Sequence, residues 1–208
     1  MIKVDIREKS FAGTTVLGRI QFTLGQGERL AVLGPSGVGK STLLRIVAGI
    51  DRKFCGDVDR PARMGVVFQE PTLLPWRTAL QNLTLIHRGL NEQAATEALR
   101  RVGIADKAAL FPAQLSLGQQ RRLSLARAFA GAPEFLVMDE PFVSLDPEMA
   151  EEMMRLTETL IAETRPALML VTHARPEAER LTERIVHLSG RPAVLHPETK
   201  DHLRCVTN

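Results

Sequence analysis

Nine residues in the first quarter of the chain constrain its fold more than any other stretch. Residues 34–42 read Gly-Pro-Ser-Gly-Val-Gly-Lys-Ser-Thr, and they lie between the apolar run 30–33 and the helix-like run 43–48. This is the G-x-x-x-x-G-K-[ST] pattern in its required context, after a buried strand and before an amphipathic helix. The backbone N–H groups of such a glycine-rich loop surround phosphate oxygens. The positive N-terminal end of the following helix also attracts the negatively charged phosphates. The stretch therefore predicts a site for a nucleoside triphosphate.

Each residue type in this loop has a chemical reason. Lys40 is long enough to reach the β- and γ-phosphates, and Ser41 places a hydroxyl where Mg²⁺, a cation that prefers oxygen ligands, would lie. A glycine-rich turn that binds nothing would have no use for Lys-Ser at the helix start. The predicted nucleotide ligands of the loop are Gly34, Pro35, Ser36, Gly37, Val38, Gly39, Lys40, Ser41 and Thr42.

The composition limits the kinds of protein that could contain this site. The 208 residues, 44% of them hydrophobic and 25% charged, suffice for one large domain with a good apolar interior. The net charge of +3 comes from interleaved acidic and basic residues, which argues against a nucleic-acid stripe. Cys55 and Cys205 lack metal-ligand spacing and suit reduced thiols. No signal peptide and no spanning helix is expected, so that any membrane role would come through a partner.

The first forty residues are expected to form β structure, because residues 3–7 and 19–24 alternate apolar and polar side chains. Phe11 lies between these two strands. It is either a filler of the core or of a loop, or a ring that stacks on a nucleobase. Spacing alone leaves both interpretations open.

A second buried strand is predicted at residues 64–68, after a polar stretch at 51–63. Gln69 follows at its carboxyl end, where open α/β sheets place ligand groups, and its amide oxygen could bind Mg²⁺. The next segment contains Trp76, the single tryptophan, near Leu73 and Leu74 on a proline-broken loop. Either the following helix covers these side chains or they form an exposed docking patch, which we favour.

Two further strands bring polar groups to the same edge. The apolar run 135–138 ends in Asp139 and Glu140. Two adjacent carboxylates at the end of a buried strand destabilise the fold unless they bind a metal or take part in proton transfer. Asp139 suits the Mg²⁺ shell, and Glu140 suits a general base for the attacking water. The last buried strand, 167–172, delivers His173, which could contact a phosphate or that water. The other histidines, at 87, 187, 196 and 202, have no such position.

The remaining sequence is mostly helical in pattern. Helices are predicted over 41–49, over 91–102, from the Ser116 N-cap, from the Asp146-Pro147 pair to Glu163, and over 176–181. Residues 184–188 predict a strand and residues 189–192 a turn, and the tail from His196 shows no periodicity. The region 72–115 is expected to be a helical lobe inserted into an α/β core.

Taken together, the motifs resemble the ATP-binding subunit of an ABC transporter over essentially the whole chain. The combination consists of the loop 34–42, Gln69, the stretch 115–119, the stretch 135–140, Ser144–Asp146 and His173, in this order. The resemblance implies an α/β P-loop NTPase core with a mostly parallel sheet, an antiparallel N-terminal β subdomain and the helical lobe. It implies one domain over 1–208, with 1–71 and 116–208 as core and 72–115 as lobe.

The resemblance also implies roles for individual residues. Lys40, Glu140 and His173 would be catalytic; Ser41, Gln69 and Asp139 would bind Mg²⁺; and Phe11, where the family has its base-stacking aromatic residue, would contact ATP. Residues 115–119 would be the signature loop, whose Ser116, Gly118 and Gln119 complete the ATP site of a second copy. This chain has Leu117 where the family has a glycine, and a leucine would be strained there if that position needs a positive φ.

The implied function is ATP hydrolysis that drives a transporter. The segment around Leu73-Leu74-Pro75-Trp76 resembles ATPases of nitrate, sulfonate and taurine importers, with thiamine-type importers as close relatives. The expected partners are a second copy, a membrane permease docking near Gln69–Thr78 and a periplasmic solute-binding protein, with no nucleic acid, at the cytoplasmic face of the plasma membrane. An exporter or lipid-transport ATPase, or an ABC ATPase that remodels nucleic acid or ribosomes, is the alternative.

Overall fold

The computed structural model describes residues 1–87 and 89–198, which contain ten strands and six α-helices. His202 and Cys205 lie outside the described residues. The strands are β1 Ile2–Phe11, β2 Thr14–Leu17, β3 Ile20–Leu24, β4 Arg29–Leu33, β5 Cys55–Asp59, β6 Met64–Val67, β7 Phe135–Asp139, β8 Ala167–Thr172, β9 Arg184–Gly190 and β10 Ala193–Pro197. The helices are α1 Lys40–Val47, α2 Ala79–Thr84, α3 Glu92–Arg101, α4 Leu117–Phe129, α5 Pro147–Thr164 and α6 Arg175–Leu181.

Five strands form a parallel sheet in the order β9-β4-β8-β7-β6. Its central strands β4, β7 and β8 consist almost entirely of apolar residues, as expected for strands covered on both faces. The order of these strands in the sheet differs from their order along the chain, because parallel strands are joined by long crossover connections that contain helices. The carboxyl ends of β4, β8, β7 and β6 consequently lie side by side.

The rest of the sheet is mainly antiparallel. Strand β1 pairs with β2, β3 and β5, and β10 pairs with β9. This arrangement confirms the expected fold class, a P-loop core joined to antiparallel N-terminal strands. Each of the five parallel strands had been expected from its apolar run.

Three strands were not predicted. Strand β2 lies between the two expected N-terminal strands, β5 lies in the stretch interpreted as polar, and β10 includes His196, where no periodicity was found. Strand β9 also continues to Gly190, so the turn is confined to Arg191 and Pro192. The sequence Cys-Gly-Asp-Val-Asp of β5 has no apolar run, because its residues alternate between exposed and half-buried, and its pairing with β1 decides its conformation.

Two apolar clusters cover the two faces of the parallel sheet. On β4, Leu30 and Val32 join the cluster beneath α1, whereas Ala31 and Leu33 join the cluster that contains the helical residues of α3, α4 and α5. Alternate side chains of a strand point to opposite faces, so one apolar strand supplies both clusters. The phosphate loop is therefore attached to a strand that is buried on both sides.

Residues 72–115 contain α2, α3 and two short 3₁₀ turns, Ala105–Lys107 and Pro112–Gln114. Thr78 and Asn91 cap the two helices through their side chains. This stretch is helical as expected, and the domain boundaries at 71/72 and 115/116 stay a prediction. Among the described residues, no helix is both long enough and apolar enough to cross a membrane.

Gly56 offers a test of how β5 is attached to β1. Its φ of +133° and the adjacent Asp5 carbonyl oxygen leave no room for a Cβ atom. We expect Gly56→Ala to lower the free energy of unfolding by about 3 kcal/mol, because backbone strain and steric overlap add. Urea denaturation followed by circular dichroism measures this loss.

Gly13→Ala is the matched control, because Gly13 also has a positive φ, +82°, but a Cβ there meets nothing within 4 Å. Its expected cost is about 1 kcal/mol, from strain alone. Equal losses in the two variants would contradict the close approach of β5 to β1.

Candidate functional site

The sheet register brings the predicted site residues to one edge. Leu33 pairs with Thr172, and Val171 pairs with Asp139, so that the loop after β4, the His173 turn and the Asp139–Glu140 corner are neighbours. Strand β6 lies beside β7, and Gln69 follows it after two residues. Ligand groups of open parallel sheets collect at such an edge. These four segments lie at one edge of the sheet, and the roles of their side chains stay a prediction.

The phosphate loop has the backbone that its glycines were expected to allow. Gly37 and Gly39 have φ of +77° and +116°, and Gly39 is the left-handed N-cap of α1. A Cβ on Gly39 would come within 2.8 Å of the Leu17 side chain on β2, and one on Gly34 within 2.6 Å of the Leu188 carbonyl oxygen. Glycine is therefore required at 34 by a close backbone neighbour and at 37 and 39 by conformation.

Lys40 and His173 are joined through Glu140. The buried Lys40 ammonium lies 3.2 Å from Glu140 Oε1, and Glu140 Oε2 lies 3.1 Å from His173 Nδ1. Lys40 also donates to the carbonyl oxygens of Gly34 and Pro35, at 2.9 and 3.2 Å. The three residues expected to be catalytic thus form one chain of contacts, with the carboxylate at its centre.

Glu140 has a strained backbone. Its φ is +44°, a region that non-glycine residues rarely occupy, and its N–H donates to the Val171 carbonyl oxygen at 2.8 Å. Strain of this kind persists where the surroundings impose it, and it is common at functional sites. The strained corner turns the Glu140 carboxylate back over the phosphate loop, towards Lys40.

Ser41 and Asp139 lie together beside this chain. The Ser41 hydroxyl donates to Asp139 Oδ1 at 3.3 Å. Burial raises the pKa of the Asp139 carboxyl above its usual range, although the Ser41 hydrogen bond opposes this. A buried carboxylate next to a hydroxyl is a donor set that fits Mg²⁺, whose charge would favour the ionised acid.

Two arginines of α4 fix the segment that follows Gln69. Arg121 donates to the Gln69 carbonyl oxygen, and the buried Arg127 donates to the carbonyl oxygens of Pro71 and Thr72, at 2.9 and 2.7 Å. Burial lowers the pKa of both guanidinium groups. Nothing in the sequence pattern of these two arginines indicates such long-range contacts.

Glu177 is a further acidic residue near the site that sequence analysis missed. It accepts a hydrogen bond from the Thr172 hydroxyl at 2.6 Å, and burial raises the pKa of its carboxyl. It lies on α6, four residues after His173, where the sequence shows only an ordinary charged helix. Thr172 also accepts from the Ala174 N–H, so Glu177 helps to fix the turn that carries His173.

The signature-like stretch forms the capped start of α4. Ser116 is the N-cap, its hydroxyl accepting from the Gln119 N–H at 3.3 Å while the Gln119 side chain accepts from the Ser116 N–H at 3.0 Å. This reciprocal pair is a capping box. Within residues 1–87 and 89–198, no hydrogen bond joins Ser116, Gly118 or Gln119 to the phosphate loop.

Leu117 is not strained. It is the first residue of α4 and is absent from the non-glycine residues of positive φ. The possibility that leucine has a strained backbone at this position is therefore wrong, because the position is helical. A Cβ on Gly118 would lie 2.9 Å from the methyl group at the flexible end of the Met149 side chain, so a larger residue there would displace that side chain.

The two aromatic residues singled out from sequence are both exposed. Phe11, the last residue of β1, is 49% exposed, and Trp76 is 66% exposed. Phe11 is therefore not a core filler, and α2 does not cover Trp76.

A cleft of about 670 Å³ lies between residues 14–16 of β2, residues 35–38 of the phosphate loop and residues 189–191.

Comparison with known proteins agrees with this geometry. Residues 17–143 match the family described as ABC transporter, which is more than half of the chain. The chain belongs to the ABC transporter family. It is an ATP-binding, ATP-hydrolysing protein of that family, and its P-loop fold is the one expected from the motifs.

Among its relatives are two ABC proteins named aliphatic sulfonates import ATP-binding protein SsuB 2. The one from Frankia alni is 44% identical over 181 residues, which cover 86% of this chain and 74% of that protein. The one from Rhizobium johnstonii is 43% identical over 190 residues, covering 89% and 76%.

A solved ABC structure resembles this fold closely. It is the dimeric post-hydrolysis state of the ATP-binding cassette MJ0796 bound to ADP and Pi. It superposes with a TM-score of 0.80 at 29% identity, covering 96% of this chain and 98% of that one.

The unstrained helical backbone of Leu117 generates a prediction for Leu117→Gly. Because no positive φ is relieved, glycine should lower the free energy of unfolding slightly, by less than about 1 kcal/mol. The rate of ATP hydrolysis should stay within about twofold of the unsubstituted protein, since a change below about 0.4 kcal/mol in the barrier is expected. A coupled-enzyme assay measures the rate, and a tenfold gain with glycine would contradict this account.

Proposed function

We propose that this chain is the motor subunit of an importer, hydrolysing ATP to drive a small anionic solute of the aliphatic sulfonate class through a separate membrane permease. The observation that carries the mechanism is the carboxylate of Glu140 between Lys40 and His173, beside the phosphate loop. The solute class rests on the names of relatives at 43–44% identity and on the Leu-Leu-Pro-Trp segment.

The proposed nucleotide site uses the residues of the glycine loop. Backbone N–H groups of residues 34–42 and the start of α1 would bind the phosphates, and Phe11 would stack on the base. Lys40 would leave the carbonyl oxygens of Gly34 and Pro35 to contact the β- and γ-phosphates. The change exchanges backbone acceptors for charged phosphate oxygens, which form stronger hydrogen bonds with an ammonium group.

Ser41, Gln69 and Asp139 are the proposed ligands of Mg²⁺, which when bound would neutralise charge on the phosphates. Glu140 would take a proton from the attacking water as general base, and His173 would orient that carboxylate through the 3.1 Å contact. The strained φ of Glu140 supports this role, since it fixes the carboxylate before substrate arrives.

Completion of the site requires a second copy of the chain. Ser116 is exposed at the start of α4 and Gly118 is buried in its first turn, and neither makes a hydrogen bond to its own phosphate loop in the described part of the chain. We therefore assign them to the triphosphate held by a partner, in a two-fold arrangement that repeats the contact. The dimeric state of the cassette MJ0796 structures supports this assembly.

Trp76 and its surroundings are the proposed docking surface for the permease, over Gln69–Thr78. Trp76 projects from a segment whose backbone is fixed by Asn82, which accepts from the Leu74 N–H at 2.8 Å and donates to the Arg77 carbonyl oxygen at 3.1 Å. A rigid, exposed aromatic residue is typical of an interface anchor. Through its permease the chain would lie at the cytoplasmic face of the membrane, with a periplasmic binding protein supplying the solute.

Glu140→Gln tests the catalytic assignment. We expect the variant to bind ATP but to hydrolyse it at least about a hundredfold more slowly, because the general base is lost. With ATP and Mg²⁺ it should accumulate as a dimer, which light scattering after size exclusion measures. Glu97→Gln, an exposed substitution on α3, is the control and should remain active.

A Glu140→Gln variant that stays monomeric with ATP and Mg²⁺ would contradict the two-copy site. The solute class is tested in the same background, by uptake of a labelled alkanesulfonate into cells that contain the chain with its permease. Uptake should require the unsubstituted Glu140, and uptake of an unrelated solute instead would contradict the sulfonate assignment.

Trp76→Ala tests the docking surface. We expect the permease to co-purify with this variant at least about tenfold less efficiently, because an interface anchor contributes 2 kcal/mol or more. ATP hydrolysis by the isolated subunit should not change. Ile50→Ala removes a similarly exposed apolar side chain, 55% exposed, at the end of α1 and should leave the complex intact. Equal loss in both variants would place the permease elsewhere.

A further inference from the structure

A buried lysine lies directly beside the exposed aromatic ring at the end of β1. The Lys9 side chain is 3% exposed, and its ammonium lies 4.3 Å from the centre of the Phe11 ring. It also lies 2.7 Å from Asp51 Oδ2 and donates to the Lys53 carbonyl oxygen at 2.6 Å. Neither the motif pattern nor the proposed chemistry uses Lys9.

An irregularity in β1 turns this lysine inward. Ile2, Val4 and Ile6 are buried in strict alternation, and the pairing of β1 with β5 then shifts register between Ile6 and Glu8. One additional residue in a strand exchanges the faces of all that follow. Lys9 therefore points to the buried side, and Phe11, two residues on, shares its face.

The inward position is stable because the ammonium has three partners. A buried charge is costly unless it is paired, and Asp51, the Lys53 carbonyl oxygen and the ring face meet this need. The hydrogen bond from Lys9 lowers the pKa of the Asp51 carboxyl, which keeps this carboxylate ionised at neutral pH. Asp51 also accepts from the Lys53 N–H at 2.9 Å, which closes the loop around the lysine.

This loop is attached to the helix that begins at the phosphate site. The Asp51 N–H donates to the Arg45 carbonyl oxygen at 3.0 Å, in the last turn of α1. Lys40 is the first residue of the same helix. One rigid element thus carries a phosphate ligand at its start and, through Asp51 and Lys9, fixes the Phe11 ring at its end.

We propose that Lys9 is a positioning residue for nucleobase binding, which acts by holding the Phe11 ring as a one-sided stacking platform. The ammonium lies over the ring, and the residue as a whole remains 49% exposed. A cation on one face draws on the negative π-cloud, so the open face repels the π-electrons of a stacked base less. The inference rests on the proposed function, since it requires ATP on the phosphate loop.

The test compares a ligand with a base to one without. Isothermal titration calorimetry in Mg²⁺ gives the dissociation constants of ATP and of inorganic tripolyphosphate, which fills the phosphate loop alone. For Lys9→Met we expect ATP to bind roughly three- to tenfold more weakly, because the ring loses both the contact that holds its orientation and the cation behind it. Tripolyphosphate should bind within twofold of the unsubstituted protein. Lys9→Arg, which keeps a cation near the ring, should restore ATP binding.

Two controls separate this effect from general damage. Lys3→Met removes the same charge from an exposed position on the same strand and should leave both ligands unaffected. In a Phe11→Ala background, adding Lys9→Met should have no further effect on ATP binding, because the lysine acts through the ring. Thermal unfolding of each variant verifies that it is folded at the titration temperature.

Each contrary outcome has a distinct meaning. Unchanged ATP binding in Lys9→Met, equal weakening of both ligands, or a full effect without the Phe11 ring would each overturn the role of Lys9. Unchanged ATP binding in Phe11→Ala would overturn base stacking by this ring and the inference with it. Failure of the unsubstituted protein to bind ATP would instead overturn the proposed function.

Discussion

The structure depends on the parallel pairing of β4, β8 and β7. These strands are apolar on both faces, so they are held in register by the packing of two clusters. The register places Leu33 beside Thr172 and Val171 beside Asp139. These strands all end at the same edge of the sheet. The residues that follow them therefore lie close together, even though they are far apart in the sequence.

At that edge the polar groups satisfy one another. The Glu140 carboxylate is shared by Lys40 and His173, and Asp139 accepts from Ser41. Lys40 is almost fully buried, and a buried ammonium without partners would be strongly unfavourable. The pairing keeps both charges in place, and the strained corner at Glu140 is tolerated because Val171 and Lys40 hold it from two sides.

A second set of contacts connects helix α4 to the segment after β6. Arg121 and Arg127 bind the carbonyl oxygens of Gln69, Pro71 and Thr72, and Thr72 has a positive φ of +44°. The start of α4 carries Ser116, and the segment carries Gln69 and ends near Trp76. Two buried arginines thus join the helix that begins at the proposed partner contact to the segment that carries the proposed permease surface.

Local sequence patterns determined the phosphate loop, the five parallel strands, the four polar corners and the capped helices, because each depends on a periodicity or motif that short stretches carry. They did not reveal β2, β5 and β10, whose residues are strand only because β1 and β9 pair with them, nor the contacts of Lys9, Arg121, Arg127 and Glu177. Tertiary structure also decided that Phe11 and Trp76 are exposed. Pairing and burial bring together residues far apart in the chain, and no local pattern records which distant neighbour a side chain will meet.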